Sequence, residues 1–250
     1  FACITSLEPD HLDIYKTEAA FLDAFVQFSK QVEQKLIVAH GLPISGLTFG
    51  VEVAADYKAF NLQTTDEGYR FDLATPTGLF KAMCLNQLGS HNVANALAAI
   101  ALAEQAGLEM EEILPTLKSF PGVYRRMNLY RWKEAVVIDD YAHHPTEIQR
   151  VFETLQSFFP GQRNCVVFQP HLFSRTRDFW DEFSTVLCQF DEVVLMEIYP
   201  AREMPIPGIT SEILLDGLAH NQKKCIPKTE IQSVLETSEA SVFALLGAGD

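Results

Sequence analysis

Side chains that could do chemistry follow three apolar segments in the second half of the chain. They occupy residues 140–145, 169–176 and 197–203, directly after segments typical of buried strands. Because ligands of open parallel sheets bind beyond the carboxyl ends of the strands, we expect the three loops to meet at one edge. Their imidazole groups could move protons, and their arginine side chains could pair with carboxylates.

Several of these side chains also have a structural interpretation, which the sequence leaves open. Asp140 could cap the helix that follows it, His144 could be a packed ring, and Arg175 could be a solvated surface charge. The expected convergence of three loops is what favours a functional site.

Two polar clusters stand out in the first half of the chain. Residues 8–13 combine carboxylates with one imidazole, a set suitable for a divalent cation, although Asp and His also cap helices and close turns. Asn92 and Asn95 lie one helical turn apart and could match the paired donor and acceptor of an adenine edge. The alternative is that Ser90 or Asn92 simply caps the helix.

The elements that would position the second-half loops follow from the pattern of apolar residues. Short, uniformly apolar runs alternate there with helical patterns, which predicts an α/β fold with a doubly wound, mainly parallel sheet. The predicted strands are residues 135–139, 165–168, 192–196 and 242–246.

The first half of the chain has a different pattern of apolar residues. Alternating runs separated by turn residues predict a small antiparallel sheet between residues 35 and 90. The Phe-Pro-Gly segment at 120–122 interrupts the periodic pattern and predicts a boundary between domains 1–120 and 121–250. The predicted helices are residues 17–34, 92–106 and 109–119.

The composition limits the class of protein. With 250 residues, 48% of them apolar, the chain is expected to be compact and globular. Its 33 acidic and 19 basic residues give a formal charge of −14, which disfavours nucleic acid and membrane surfaces as partners. The five cysteines form no CxxC pair and no long apolar span occurs, so we expect a cytoplasmic protein.

These motifs, in this order, resemble the Mur ligases, the ATP-dependent amino-acid ligases of bacterial cell-wall synthesis. The Asp-Asp-Tyr-x-His-His-Pro-Thr-Glu element ending at Glu147 and the Gln-Pro-His element ending at His171 are together specific. The Gly-x-His-Asn element from Gly89 is shared by the whole superfamily. The resembling segments are residues 5–15, 89–95, 120–126, 139–147, 168–177, 198–203, 205–208 and 246–250.

The resemblance implies an enzyme of three domains, of which two are represented here. Residues 1–120 would be the C-terminal part of the central ATPase domain, and residues 121–250 the domain for the incoming amino acid. The chain contains no Gly-x-x-x-x-Gly-Lys-Ser/Thr loop to cradle a triphosphate. We therefore expect a fragment that lacks the UDP-binding domain and the phosphate loop, and that is inactive alone.

ATP and Mg²⁺ are the cofactors that the resemblance implies. The substrates would be UDP-N-acetylmuramate and L-alanine, joined through an acyl phosphate in peptidoglycan synthesis. The residues matched to the cofactors are His11 for the metal, His91, Asn92 and Asn95 for adenine, Arg126 for the phosphates and Asp140 for the ribose hydroxyls.

The amino-acid pocket is also assigned by resemblance. Arg175 would pair with the carboxylate, and His143 and His171 would complete the pocket, one of them assisting deprotonation of the ammonium group. Tyr141 would limit side-chain room and favour alanine. Many relatives have arginine where this chain has Leu172, which removes a second cationic contact.

Three other interpretations compete with the alanine-adding ligase. A related ligase that recycles a whole tripeptide onto the same sugar ranks second. A metal-dependent phosphohydrolase could use the Asp and His residues at 10–11, 139–140 and 143–144. The third is a fragment that binds ligands without catalysis.

Overall fold

A computed structural model describes residues 1–8 and 12–249 of the chain. The chain divides into two compact units, Phe1–Pro121 and Gly122–Asp250, and each contains a six-stranded sheet. No helix in the described ranges combines the length and apolarity that crossing a membrane requires.

The first unit is a mixed sheet packed against helices. Strands β1 to β4 pair in parallel, β4 to β6 form an antiparallel meander, and α3 packs across β1 to β4. The elements in chain order are β1 (Ala2–Ile4), α1 (Leu12–Tyr15), α2 (Glu18–Lys30), β2 (Leu36–Ala39), β3 (Leu47–Val51), β4 (Tyr57–Thr65), β5 (Gly68–Thr75), β6 (Gly78–Leu85), α3 (Ser90–Gln105) and α4 (Met110–Ser119).

The three helices predicted in this unit are confirmed. The hydroxyl of Thr17 accepts from the backbone N–H of Ala20 and begins α2, which ends four residues earlier than predicted. Glu109 and Glu112 form a reciprocal capping box at the start of α4.

The antiparallel strands do not form a sheet of their own. Residues 36–51 were expected in the antiparallel sheet, yet β2 and β3 pair in parallel with their neighbours. The run Leu36–Ala39 is uniformly apolar, which is typical of a buried strand, whereas the alternation in Leu47–Val51 does not fix the direction of a strand. The crossover through α2 returns the chain to the same end of the sheet, and this makes β1 and β2 parallel.

The second unit is the predicted doubly wound α/β fold. Its strand order is β11-β10-β9-β12-β8-β7, and every pair is parallel except β7 with β8. The elements are β7 (Asn128–Trp132), β8 (Ala135–Asp140), α5 (Pro145–Phe158), β9 (Asn164–Phe168), α6 (Phe173–Asp178), α7 (Trp180–Leu187), β10 (Glu192–Leu195), α8 (Ser211–Gly217), β11 (Lys223–Cys225), α9 (Ile231–Thr237) and β12 (Val242–Leu246).

All four predicted strands of this unit are confirmed as β8, β9, β10 and β12, and both sheet faces are covered. On one face Val137, Cys165 and Phe243 pack with Val234 of α9. On the other, the ring of Phe183 in α7 lies 5.4 Å from that of Phe168. The edge strands β7 and β11 were not predicted because neither is a uniformly apolar run.

Replacing Phe183 by alanine should lower the free energy of unfolding of the second unit by about 3 to 5 kcal/mol. The side chain is fully buried between α7 and the sheet, so its removal leaves a cavity. Both tryptophans, Trp132 and Trp180, belong to this unit, so their fluorescence during urea unfolding reports it selectively.

Ile213→Ala on α8 is the matched control, because Ile213 is exposed and its loss should change the free energy by less than about 0.5 kcal/mol. Equal effects of the two substitutions would contradict this account of the core.

Candidate functional site

The loops that follow β8, β9 and β10 come together at the carboxyl edge of the second sheet. The rings of His143 and His171, from the first two loops, have centroids 5.7 Å apart. Tyr199 of the third loop stacks on His171 with centroids 5.6 Å apart and planes 13° apart. With Arg175, these three residues form what we call the Arg175 cluster.

Arg175 is held at the centre of this cluster by α6. It is only 7% exposed, so the interpretation as a solvated surface charge is wrong. One guanidinium nitrogen lies 3.2 Å from Nδ1 of His171, one helical turn earlier. Burial, together with electrostatic repulsion from His143 and Arg175, lowers the pKa of His171. His171 therefore favours its neutral form.

The backbone before α6 positions this pair. Leu172 has a φ of 73°, in the left-handed region, and its N–H donates to the carbonyl of Tyr199. The N–H of Tyr199 donates to the carbonyl of Pro170 in return. These reciprocal bonds join the loops after β9 and β10, and they place Tyr199, which the sequence analysis did not identify, against His171.

Glu147 organises the loop after β8 and was also missed as a site residue. Its Oε2 accepts from the backbone N–H groups of His143, at 2.8 Å, and His144, at 3.1 Å. The signal was present in the sequence, since a Glu three residues after a helix cap is typical of a capping box. His144 is a packed ring, 4.5 Å from that of Phe179.

Asp140 is buried and does not cap α5, so that alternative is wrong. One carboxylate oxygen accepts from the N–H of Met127 and the other from the N–H of Ala142, both at 2.8 Å. Burial raises the pKa of Asp140, against the opposing effect of these two donors. The carboxylate thus ties the segment before β7 to the loop after β8.

Two neighbouring arginines have different surroundings. Arg125 donates to the carbonyl oxygens of Gly247 and Gly249, both at 2.5 Å, and pairs with Asp139 at 3.3 Å. Arg126, the residue matched to the nucleotide phosphates, has a half-exposed side chain 4.0 Å from Glu147. Of these two arginines, Arg126 has the more exposed side chain.

A tyrosine ring lies beside both guanidinium groups. Their central carbons are 5.4 Å (Arg125) and 5.5 Å (Arg126) from the ring centre of Tyr141. The same ring meets that of His143 edge to face at 5.4 Å. Tyr141 thus connects the arginines with the Arg175 cluster.

The adenine candidates lie at the start of α3 in the first unit. The N-cap is Gly89 and no side chain caps the helix, so capping by Ser90 or Asn92 is wrong. The side-chain amide of Asn92 instead donates to the carbonyl of Leu88 at 2.7 Å. Asn95 is exposed one turn later, and His91 is half-buried.

The proposed metal ligand His11 lies outside the described residues, as does Asp10. Among the residues that the structure does describe, no group of three or more His, Cys, Asp or Glu side chains is arranged to hold a metal ion. Asp139 and Asp140 are engaged by Arg125 and by backbone donors, and this gives the phosphohydrolase interpretation no support.

Family models match both units. The Mur ligase middle domain matches residues 1–103, and the glutamate ligase domain of Mur ligases matches residues 125–250. The chain therefore belongs to the Mur ligase family.

Two similar proteins of this family carry the same name. The chain is 44% identical to the UDP-N-acetylmuramate–L-alanine ligase of Flavobacterium johnsoniae and 45% identical to that of Flavobacterium psychrophilum. All of this chain is covered in both comparisons, but only 56% of either relative, so the chain spans about half of their length.

Solved structures agree with this assignment. The UDP-N-acetylmuramate-alanine ligase of Thermotoga maritima is 28% identical with a TM-score of 0.76, over 99% of this chain and 56% of that one. A MurF ligase of the same organism, solved with ADP, has a TM-score of 0.73 over 99% of this chain and 58% of that one. At 16% identity it shows the fold alone.

The buried carboxyl of Asp140 should make the stability of the second unit depend on pH. Its pKa is raised above the ordinary value of 3.8, so the folded state holds the proton to higher pH than the unfolded state does. The free energy of unfolding, relative to Asp140→Asn, should therefore fall as pH rises upward from about 3.8. Urea unfolding followed by tryptophan fluorescence across this range measures it, and a relative stability that increases with pH would contradict the sign.

Proposed function

We propose that this chain is part of a cytoplasmic, ATP-dependent ligase that joins L-alanine to UDP-N-acetylmuramate in peptidoglycan synthesis. The observation that carries the proposal is the buried Arg175 with His143, His171 and Tyr199 around it. A buried guanidinium favours a planar carboxylate, and imidazoles beside it suit an ammonium that must lose a proton. The names of the relatives support the same substrates.

The chemistry explains why a nucleotide is needed. A carboxylate is a poor electrophile, and ATP supplies the phosphoryl group that converts the sugar carboxylate into an acyl phosphate. The amine of the amino acid then attacks the carbonyl carbon, and phosphate leaves. Cationic side chains such as Arg126 would offset the negative charge that gathers in both steps.

Two sets of residues are candidates for contact with the nucleotide, and each belongs to its own unit. In the first unit, His91, Asn92 and Asn95 would bind adenine, since the contact of Asn92 with Leu88 uses only part of its hydrogen-bonding capacity. In the second unit Asp140 would accept from the ribose hydroxyls, because a carboxylate has about four acceptor sites and two backbone donors occupy two of them.

The Arg175 cluster would hold the amino acid. Arg175 would pair with its carboxylate, which places the ammonium on the side of the two histidine rings. Tyr141 is partly exposed and fixed by two arginines, so its ring would limit room for the amino-acid side chain and favour alanine.

Arg175→Ala in the full-length enzyme should raise the KM for L-alanine and leave the KM for ATP nearly unchanged. Loss of a buried charge-assisted pair costs about 2 to 5 kcal/mol, which corresponds to roughly 30-fold or more. Steady-state kinetics with each substrate varied in turn measures both constants.

Arg175→Lys is the matched control, because it keeps the charge but loses the fork geometry of the guanidinium. Its KM for L-alanine should lie between those of the unmutated and the Arg175→Ala enzymes. An Arg175→Ala enzyme that loses ATP affinity with alanine kinetics intact would refute the pocket assignment. Faster turnover with a tripeptide than with alanine would favour the recycling ligase instead.

The 250-residue chain alone should fold in its second unit yet catalyse no ligation. It contains no Gly-x-x-x-x-Gly-Lys-Ser/Thr loop, so the triphosphate has no cradle of backbone amides and lysine. Phosphate release from ATP with both substrates, measured beside the full-length enzyme, is the test. A hundredfold difference in rate corresponds to about 2.7 kcal/mol of activation free energy. Turnover by the chain within about a hundredfold of the full-length rate would contradict the expected inactivity.

A further inference from the structure

His143 carries its ring proton on Nδ1. This nitrogen lies 2.9 Å from the carbonyl oxygen of Tyr141 and 3.3 Å from Oε2 of Glu147. A carbonyl oxygen can only accept a hydrogen bond, so Nδ1 must donate. In the neutral ring Nε2 then has the lone pair, and within residues 1–8 and 12–249 no group hydrogen-bonds it.

His171 has the opposite arrangement. Its Nδ1 lies 3.2 Å from a guanidinium nitrogen of Arg175, and a guanidinium can only donate. Nδ1 must therefore accept, and the ring proton is on Nε2. A second proton, on Nδ1, would face the N–H groups of Arg175, so His171 has no nitrogen that can take a proton while this contact lasts.

From these two arrangements we infer that His143 is the catalytic base that takes the proton from the amino-acid ammonium, with Glu147 as its positioning residue. His171 orients Arg175 and stays neutral. The inference rests on the proposed ligase function and decides between two histidines that the sequence leaves equivalent.

The amino-acid nitrogen loses two protons in the reaction. Nε2 of His143 takes one proton from the ammonium group and becomes imidazolium, and the freed amine attacks the acyl phosphate carbon. The new C–N bond forms as the bond from carbon to the phosphate oxygen breaks. The second proton of the nitrogen leaves with the departing phosphate, and His143 returns its proton to solvent.

The charged groups around the two rings favour this division of roles. The carboxylate of Glu147 lies beside Nδ1 of His143 and stabilises the positive charge that the ring gains as a base. Next to His171 stands Arg175, which disfavours a second positive charge. Among the residues that the structure describes, Tyr141 and Tyr199 also lie against these rings, and Glu203 acts on His171. Arg126 lies 4.0 Å from Glu147.

Nitrogen-15 NMR of the imidazole rings in the 250-residue chain tests the inference without any activity. We expect a pyrrole-type Nδ1 and a pyridine-type Nε2 for His143, and the reverse for His171. His220 is an internal reference outside the site, because its Nε2 lies 2.8 Å from the carbonyl of Phe190 and its Nδ1 accepts from Gln222.

Spectra of His143→Gln and His171→Gln assign the signals. A pyrrole-type Nε2 on His143, or a pyrrole-type Nδ1 on His171, would overturn the inference even if the enzyme proves to be the proposed ligase. Since the unmutated chain gives the signals, the result does not depend on how well the variants fold.

Kinetics of the full-length enzyme give a second test. His143→Gln should lower kcat about 100- to 10,000-fold, the usual contribution of a general base, and added imidazole should restore part of it. His171→Gln should instead raise the KM for L-alanine more than it lowers kcat. Imidazole rescue of His171→Gln alone would overturn the inference, whereas an unmutated enzyme that cannot use alanine would refute the proposed function.

The positioning role of Glu147 has its own readout. Glu147→Gln keeps an acceptor for the backbone N–H groups but removes the charge beside Nδ1, so the acidic limb of the kcat profile should move to lower pH. Glu153→Gln on the same helix is the control, since Glu153 is an exposed partner of Arg150. Coincident profiles for Glu147→Gln and the unmutated enzyme would contradict the positioning role.

Discussion

Parallel pairing brings the carboxyl ends of β8, β9, β10 and β12 to one level of the second sheet. Leu246 pairs with both Asp140 and Phe168, and Phe168 pairs in turn with Leu195. The loops that leave these strands therefore start side by side, and a slip of one residue in any strand would turn its side chains to the opposite face. Everything in the Arg175 cluster depends on this alignment.

The site concentrates positive charge in an acidic chain. Arg125, Arg126 and Arg175 lie at one edge of a unit of a protein whose formal charge is −14. The three side chains have different surroundings. Arg125 donates to backbone carbonyls, Arg126 is half-exposed, and Arg175 is buried beside His171. A local cluster of cationic side chains in an acidic chain attracts anionic groups to that edge of the sheet.

Much of the second unit could be predicted because its strands are buried on both faces and are therefore uniformly apolar. Tyr199 was not identified as a site residue because its role depends on stacking against His171, which exists only once the loops have met. Glu147 was missed although its capping box is local in the sequence. The sequence suggested Asp140 as a possible cap of α5, whereas His144 and Glu147 form the capping box of this helix. The direction of β2 and β3 depends on how the chain crosses over.

The central position of Cys165 has a consequence for reactivity. Its side chain lies in β9 between two parallel neighbours, and burial raises the pKa of the thiol, so the nucleophilic thiolate is scarce in the native state. The other four cysteines, all free thiols, are partly accessible. An alkylating reagent reaches Cys165 only when α9 and the sheet face that it covers open, so the rate of modification follows the opening of the structure that aligns the site.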